Sequence, residues 1–574
     1  MILRAVCILL VAAPALAQNA PAQPESTSAV AERTSVTARE FMIATANPLA
    51  TEAGHDVLAA GGSAADAAIA VQMVLNLVEP QSSGIGGGGF ALYWNAATGT
   101  LASFDGRETA PAAATPDYWL DEAGQPRDFW DAVVGGRSAG VPGTLRLMEA
   151  LHARYGRLPW GELFQPAIEL AESGFPISQR LPGAIVEAKQ HRLDEFPAAR
   201  ALYLHQDGSP KAEGEILRNP DFARTLRLIA AEGVGPFYEG AIARDIVAAV
   251  RTETNPGILT LEDLATYQVK ERPPVCMTYR TYEICGMGPP SSGALTVGQM
   301  LGMLSHFDLP AMGPGTETTH LFLEAGTLAF ADRGLYMADS DFVEMPEGLL
   351  DAGYLAARSA LIDPARAMET ASPGEPPWKK ARLRVPDGER PNHGTTHFVI
   401  VDRYDDMLTA TTTIETNFGS RVVVDGFLLN NELTDFAFVP EADGKPVANR
   451  VEGGKRPRSS MSPTMVFREG APMLLIGSPG GANIIPYIAQ ALVGILDFGL
   501  DPQVAVDSPH VLSRGGPAQV EEGPGAAATI AALHALGHQA EAANLNSGLQ
   551  AILIGAELLT GAADKRREGL VMGQ

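Results

Sequence analysis

The sequence predicts an α/β protein, with helices in its middle region and strands after residue 395. From Asp131 to Tyr267, apolar Leu, Ala and Ile recur at helical spacing opposite charged faces, which indicates a series of amphipathic helices. Phe398 to Val401 is a short apolar run that is closed by Asp402. Because a helix would need more length, this run is typical of a strand buried on both faces.

The composition indicates a globular protein that does not bind nucleic acid. Of the 574 residues, 46% are hydrophobic and 19% are charged, which is enough apolar material for a large core. The formal net charge is −25. Binding to a polyanion needs a basic face, so this balance argues against a nucleic-acid partner, and we interpret the acidity as a solubility feature.

The sequence of the amino terminus predicts that the protein is exported from the cytoplasm. Residues 1–17 combine an early Arg4, an apolar stretch and the small residues Ala15-Leu16-Ala17, as in a secretory signal peptide. Residues 18–39 contain few large apolar side chains, so we expect a disordered lead-in. No other stretch holds eighteen uninterrupted apolar residues. The protein is therefore expected in the periplasm or secreted, without a membrane anchor once the signal peptide is removed.

The first folded segment, Met42 to Asn95, predicts a strand, two helices, a glycine loop and a second strand. Ser63 is a good N-cap for a buried helix from Ala64 to Val78. The loop Gly84 to Gly89 contains the string G-x-G-x-x-G. A dinucleotide site would need a strand before this string and a helix after it, whereas here a helix precedes it. We therefore predict close backbone packing near the site instead of a nucleotide cofactor.

Two cysteines remain after signal removal, and they bracket a predicted hairpin. If Arg280-Thr281 forms a two-residue turn, Cys276 lies opposite Cys285, where the strands approach closely. A cross-strand disulfide and two buried thiols both fit this arrangement. The spacing fits no metal site.

The stretch from Asn392 to Asp402 carries the strongest chemical signal. Five prolines between Ala371 and Pro391 break regular structure, so we expect Gly394-Thr395 at the end of an exposed tether, where the chain can be cut. A threonine hydroxyl needs a base, and a free α-amino group, with a pKa of about 7.7 to 8.0, can serve on the same residue. The alternative is that Thr395 merely opens a strand.

Five motifs follow one another in the last third of the chain: Gly394-Thr395-Thr396-His397-Phe398, Thr413 to Gly419, Asn430 to Phe436, Lys455 to Met461 and Gly477 to Gly481. This series resembles the γ-glutamyltranspeptidase (glutathione hydrolase) family of N-terminal-nucleophile hydrolases, from about Met42 nearly to the carboxyl terminus. The resemblance implies a four-layer αββα sandwich. It also implies a precursor that cuts itself into two associated subunits, a large one (40–394) and a small one (395–574).

The resemblance also implies the catalytic roles. Thr395 is the nucleophile and Thr413 hydrogen-bonds it. Gly480 and Gly481 form the oxyanion hole, since backbone N–H groups at a glycine loop and helix start stabilise negative charge. A phosphate loop is the competing interpretation, but no Gly-Lys-Ser/Thr follows.

A γ-glutamyl group ends in an ammonium and a carboxylate, which call for acids and for an arginine with hydroxyls. The resemblance assigns the binding of the ammonium to Glu415, Glu432 and Asp435. It assigns the binding of the carboxylate to Arg107, Ser459 and Ser460. The alternative interpretation, without the resemblance, is that the acids and Arg107 are ordinary surface residues. The polar side of the strand Met407 to Glu415 would then face solvent.

The expected reaction is cleavage of the γ-glutamyl amide of glutathione and related compounds through an ester on Thr395. Water, an amino acid or a peptide then accepts the acyl group, and no metal or cofactor is needed. Val439 to Lys455 contains no aromatic residue, which suggests an open site. This leaves two alternatives: an acylase that removes glutaryl side chains from β-lactams, and a non-catalytic extracellular binding protein with the same fold.

Overall fold

The computed structural model of the protein describes residues 32–379, 384–387 and 394–574. The expected signal peptide, the lead-in up to residue 31, and Asn392-His393 lie outside these ranges. The lead-in prediction is wrong for its last residues, because Val36–Ala38 is a strand that pairs antiparallel with Leu559, Thr560 and Gly561. The edge of a sheet supplies hydrogen-bond partners that the local composition does not reveal.

Within the described ranges, the strands in chain order are β1 Val36–Ala38, β2 Met42–Thr45, β3 Gly88–Asn95, β4 Thr100–Gly106, β5 Phe175–Pro176, β6 Ile216–Leu217, β7 Lys270–Arg272, β8 Val275–Tyr279, β9 Tyr282–Gly286, β10 Thr396–Val401, β11 Met407–Thr413, β12 Val423–Val424, β13 Phe427–Leu428, β14 Glu441–Ala442, β15 Lys445–Pro446, β16 Thr464–Arg468, β17 Ala471–Gly477, β18 Val511–Leu512, β19 Ala518–Glu521, β20 Ala540–Ala543, β21 Gln550–Ile554, β22 Leu559–Ala563 and β23 Leu570–Gly573. The α-helices in the same ranges are α1 Pro48–Ala59, α2 Ala64–Val78, α3 Phe129–Val133, α4 Thr144–Tyr155, α5 Gln165–Ser173, α6 Arg180–Gln190, α7 Pro197–Tyr203, α8 Pro220–Glu232, α9 Gly235–Tyr238, α10 Ala241–Ala249, α11 Leu261–Ala265, α12 Gly293–Leu304, α13 Leu309–Met312, α14 Thr316–Tyr336, α15 Ala352–Ser359, α16 Ile484–Leu496, α17 Pro502–Asp507 and α18 Ala526–Ala535.

Two seven-stranded antiparallel sheets form the centre of the molecule. One has the order β23-β2-β10-β11-β3-β4-β7 and the other β1-β22-β21-β17-β16-β9-β8. Apolar side chains from both sheets, such as Val399 and Leu475, form a core between them. A second core lies under α1, α2 and α4, and a third under α12, α14 and α16. The predicted four-layer αββα sandwich is therefore confirmed.

Both sheets combine strands from before and after Thr395. In the first sheet, β10 lies between β2 and β11, and β11 pairs with β3. In the second sheet, β9 pairs with β16, and β1 pairs with β22. The segments on either side of Thr395 therefore share two continuous hydrogen-bonded sheets.

Several local predictions are confirmed. Every residue of β10 is buried. Ser63 caps α2, and the side chain of Asp66 completes a capping box. In the hairpin of β8 and β9, Cys276 faces Cys285 as predicted. Of the two arrangements that the sequence left open, the structure has the disulfide bond. Apart from these predictions, no helix in the described ranges is both long enough and apolar enough to cross a lipid bilayer.

Candidate active site

Thr395 lies immediately before the central strand β10. The expected exposed position of the Gly394-Thr395 junction is wrong, because Gly394 is buried and Thr395 is only 4% exposed. Gly394 has a φ of +69°, and a Cβ atom at this residue would lie 2.3 Å from the carbonyl oxygen of Glu415. A left-handed glycine therefore turns the chain into the core, which a count of upstream prolines does not reveal.

Two hydroxyl groups converge on the carbonyl that precedes Thr395. Thr395 Oγ1 donates to the oxygen of Gly394 at 2.5 Å, and Thr413 Oγ1 donates to the same oxygen at 2.7 Å. The resemblance implied that Thr413 bonds the nucleophile, but in the uncut chain its hydroxyl bonds the Gly394 carbonyl. A donor at this position polarises the carbonyl and stabilises negative charge on its oxygen.

The polar side of β11 faces the protein interior. Thr411 Oγ1 and Thr409 Oγ1 lie 2.8 and 3.3 Å from the two ring nitrogens of His397, and all three residues are buried. Burial lowers the pKa of His397 to about 3, so the ring is neutral. The alternative of a solvent-facing strand is therefore excluded. Thr409 and Thr411 lie on the same buried face of β11 as Thr413.

The glycine loop before β3 allows close packing beside Thr413, as predicted. A Cβ atom on Gly87 would lie 1.9 Å from the carbonyl oxygen of Thr413, and one on Gly86 would lie 2.1 Å from the oxygen of Leu428. Only glycine leaves the space that these backbone approaches need.

Nine of the ten predicted site residues line one cavity, which we call the Thr395 cavity. Its volume is about 20 Å³, which holds about one water molecule. The lining residues comprise the nine predicted ones and two apolar residues that the sequence did not single out: Arg107, Thr395, Thr413, Glu415, Glu432, Asp435, Ser459, Ser460 and Gly481, then Met461 and Ile484.

The tenth residue, Gly480, belongs to the loop that leads from β17 to α16. Gly481 begins a 3-10 turn, Gly481–Asn483, directly before that helix. Gly480 and Gly481 have φ values of +130° and +56°, and a Cβ atom on Gly480 would lie 2.8 Å from the ring of Tyr487. The loop therefore requires glycine at position 480 and favours it at position 481. The oxyanion role of the loop stays a prediction.

Arg107 follows β4 and is buried. Its two terminal nitrogens donate to the carboxylates of Glu432 and Asp435, which lie in and at the end of a 3-10 turn. Its Nε donates to the oxygen of Pro457 at 3.2 Å, and Nη2 donates to the oxygen of Arg458 at 3.2 Å. The resemblance assigned Arg107 to the carboxylate of the γ-glutamyl group and these two acids to its ammonium. In the uncut chain, Arg107 and the two acids bind each other instead.

Carboxyl groups outnumber cations beside Arg107. Burial, followed by the charges of Asp435 and Glu432, raises the pKa of Glu415 well above its usual range. Burial raises the pKa of Glu108 to about 7, although Arg107 opposes the shift. Sequence reasoning missed Glu108, although its position next to Arg107 was a usable signal. Crowded, desolvated carboxyls of this kind favour a bound cation.

The serine pair is held by residues from the first part of the chain. Arg333, on α14, donates through Nη2 to Ser460 Oγ at 2.7 Å and through Nε to Ser292 Oγ at 2.8 Å. Ser292 Oγ donates in turn to the oxygen of Ser459 at 2.7 Å. Sequence reasoning placed no chemistry on this helix, and its pattern offered no signal for the contact.

Two groups of possible metal ligands occur in the described part of the chain, and neither includes a residue of the Thr395 cavity. One contains the disulfide-bonded cysteines. The other contains Glu324 with His320 and His538, whose ring nitrogens are 2.7 Å apart, a hydrogen-bond distance.

Comparisons with known proteins identify the family. The sequence model of the family described as Gamma-glutamyltranspeptidase matches residues 50–574. The chain is 37% identical to the glutathione hydrolase proenzyme of Bacillus subtilis (strain 168), over 93% of this chain and 92% of that protein. It is also 37% identical to the Acylase ACY 1 proenzyme of Pseudomonas sp. (strain V22), over 93% of each. The crystal structure of cephalosporin acylase from Bacillus halodurans superposes with a TM-score of 0.83 at 27% identity, covering 99% of both chains. The protein belongs to the γ-glutamyltranspeptidase family.

Proposed function

We propose that the protein is a γ-glutamyl hydrolase and transpeptidase that cuts itself between Gly394 and Thr395. The observation that carries the proposal is the contact of the Thr395 and Thr413 hydroxyls with the Gly394 carbonyl, beside a cavity lined by acids and Arg107. The expected substrates are glutathione and related γ-glutamyl compounds, with water, an amino acid or a peptide as acceptor.

Self-cleavage begins with attack of Thr395 Oγ1 on the carbonyl carbon of Gly394. The Thr413 hydroxyl stabilises the resulting oxyanion. The C–N bond then breaks and its nitrogen takes up the proton that Oγ1 has lost, which leaves an ester and a free α-amine on Thr395. Water hydrolyses the ester and releases the carboxylate of Gly394. The products are a large subunit ending at residue 394 and a small subunit, 395–574.

The new α-amine serves as the base in turnover. It takes the proton of Thr395 Oγ1 as the oxygen attacks the γ-amide carbonyl, and it returns the proton to the leaving amine. The N–H groups of Gly480 and Gly481 hold the oxyanion, and a γ-glutamyl ester remains on Thr395. Water or an amine acceptor then attacks this ester and regenerates the hydroxyl.

Recognition of the zwitterionic end involves an exchange of ion pairs. In the uncut chain, Glu432 and Asp435 neutralise Arg107. A substrate ammonium can replace the guanidinium as their partner, while the substrate carboxylate takes the freed guanidinium together with Ser459 and Ser460. Every buried charge thereby keeps a partner of opposite sign, which limits the desolvation cost of binding.

The proposed location is the periplasm or the extracellular space. The expected signal peptide supports it, and so does the disulfide of Cys276 with Cys285, since such bonds persist in oxidising compartments.

The substrate class is tested with γ-glutamyl-p-nitroanilide and with glutaryl-p-nitroanilide, which lacks only the amine. We expect a clear preference for the γ-glutamyl compound, and the variant Asp435→Asn should lose most of it. Equal or faster hydrolysis of the glutaryl compound would instead favour the β-lactam acylase, an alternative that the acylase relative supports.

Intact-mass analysis tests cleavage and separates the enzyme from a non-catalytic binding protein. We expect two polypeptides, the shorter beginning at Thr395, and a single chain for Thr395→Ala. A purified wild-type protein that remains one uncut chain would refute the mechanism, because it has no free α-amine at Thr395.

A further inference from the structure

The carboxylate end of the site contains a second buried cation in addition to Arg107. Arg333 is 3% exposed and projects from α14 towards the serine pair. Its guanidinium donates to Ser460 Oγ at 2.7 Å and to Ser292 Oγ at 2.8 Å, and Ser292 Oγ donates to the backbone oxygen of Ser459 at 2.7 Å. One side chain from the first part of the chain therefore contacts Ser460 directly and is linked to Ser459 through Ser292.

The direction of the hydrogen bond to Ser460 has a chemical consequence. A serine hydroxyl has one proton and two lone pairs, whereas a guanidinium can only donate. Because Ser460 Oγ accepts from Arg333, its own proton is left to donate towards the Thr395 cavity, which Ser460 lines. An anionic ligand group is the natural acceptor for such a polarised hydroxyl.

Arg107 is already paired with two acids, so a second cation near the substrate carboxylate has a function to serve. Both terminal nitrogens of Arg107 bind Glu432 and Asp435, so a carboxylate entering the cavity first meets a guanidinium that is already engaged. Glu432 and Asp435 accept hydrogen bonds from Arg107, whereas the Ser460 hydroxyl accepts from Arg333 and can itself donate to a ligand.

We propose that Arg333 is a positioning residue that orients Ser460 for the substrate α-carboxylate and thereby selects substrates that carry one. This inference rests on the proposed γ-glutamyl activity. Arg333 acts through Ser460 and does not contact the reacting atoms.

The test compares γ-glutamyl-p-nitroanilide with 4-aminobutyryl-p-nitroanilide, which keeps the amine and lacks the α-carboxylate. For Arg333→Met, we expect the ratio of kcat/KM values (γ-glutamyl over 4-aminobutyryl) to fall about 10- to 100-fold, as for loss of a charge-assisted hydrogen bond. The fall should come from KM for the γ-glutamyl compound, with little change in kcat. Arg333→Lys, which keeps the charge, should restore part of the ratio.

Arg358→Met is the matched control. Arg358 is also buried against α14, where it binds Asp332 and the oxygen of Leu328, and it does not line the Thr395 cavity. We expect its ratio to stay at the wild-type value. Equal falls for both substrates in Arg333→Met would show a general structural role and overturn the proposal.

Ser460→Ala keeps the test decisive if Arg333→Met does not fold. It should lower the ratio as much as Arg333→Met, and the double variant should lower it no further, because the two residues act in series. A wild-type ratio in Ser460→Ala would overturn the proposal by itself. If the wild-type enzyme fails to hydrolyse γ-glutamyl-p-nitroanilide, the proposed function is wrong instead.

Discussion

Substitution of Gly394 by alanine tests the geometry of the proposed self-cleavage site directly. The added Cβ would lie 2.3 Å from the carbonyl oxygen of Glu415, and it would have to move by about 1.1 Å to reach the ordinary contact distance of 3.4 Å. The residue also has a φ of +69°. Alanine in that conformation costs about 1 to 2 kcal/mol relative to the right-handed region.

The displacement acts on the Gly394 carbonyl, which the proposed mechanism cleaves and whose oxygen accepts from Thr395 and Thr413. A shift of about 1 Å in a reacting group can lower a rate about 100-fold. We therefore expect Gly394→Ala to cleave at least about 100-fold more slowly than the wild type, as a result of misplacement and not of unfolding.

A time course of intact mass after purification measures the uncut fraction, and thermal melting verifies the fold. Gly444→Ala is the matched control, since Gly444 has a φ of +68° and no atom lies within 4 Å of the point that its Cβ would occupy, so it carries the conformational cost without the clash. Wild-type cleavage in Gly394→Ala would refute the geometry. Slow cleavage in Gly444→Ala would show that the stability lost through a left-handed alanine is enough to slow cleavage, without the contact with Glu415.

Three further predictions address other parts of the molecule. Thr413→Val should slow self-cleavage about 100- to 1,000-fold by removing a donor to the Gly394 oxygen. Thr413→Ser should cleave nearly normally in the same mass assay, and fast cleavage in Thr413→Val would contradict this role. His397 has a pKa of about 3 when folded and about 6.5 when unfolded, so the folded state binds fewer protons in that window and stability falls as pH drops through it. Denaturant titrations should therefore show that the wild type loses about 2 kcal/mol more than His397→Gln between about pH 6 and about pH 4.5, and equal losses would refute a buried neutral ring. Reduction of the Cys276–Cys285 bond, which closes a loop of sequence separation 9, should lower the free energy of unfolding by about 2 to 3 kcal/mol. An unchanged melting temperature in dithiothreitol would contradict that estimate.

Features governed by short-range patterns could be predicted from the sequence. The buried strand at Phe398 follows from its continuous apolar run, and the capping box of α2 follows from the spacing of Ser63 and Asp66. The register of the hairpin follows from its two-residue turn, which places Cys276 opposite Cys285. Each of these depends on residues close together in the chain, where steric and hydrogen-bonding rules are strong.

Contacts between distant segments could not be predicted in the same way. Arg333 and Ser460 are 127 residues apart, and nothing in the pattern of α14 distinguishes this arginine from a surface cation. The resemblance brought Arg107 and Glu432 to one site but gave them different ligand partners, whereas they bind each other across 325 residues. Burial of the Gly394 carbonyl likewise depends on a long-range approach of the Glu415 backbone.

The alternation of strands from both sides of Thr395 constrains the order of biogenesis. A separately synthesised 395–574 fragment would expose the edges of β10, β11 and β16 that β2, β3 and β9 cover in the intact chain. Such open edges are templates for aggregation. In the proposed mechanism, the sheets must therefore assemble before the chain is cut, and cleavage then indicates that folding is complete.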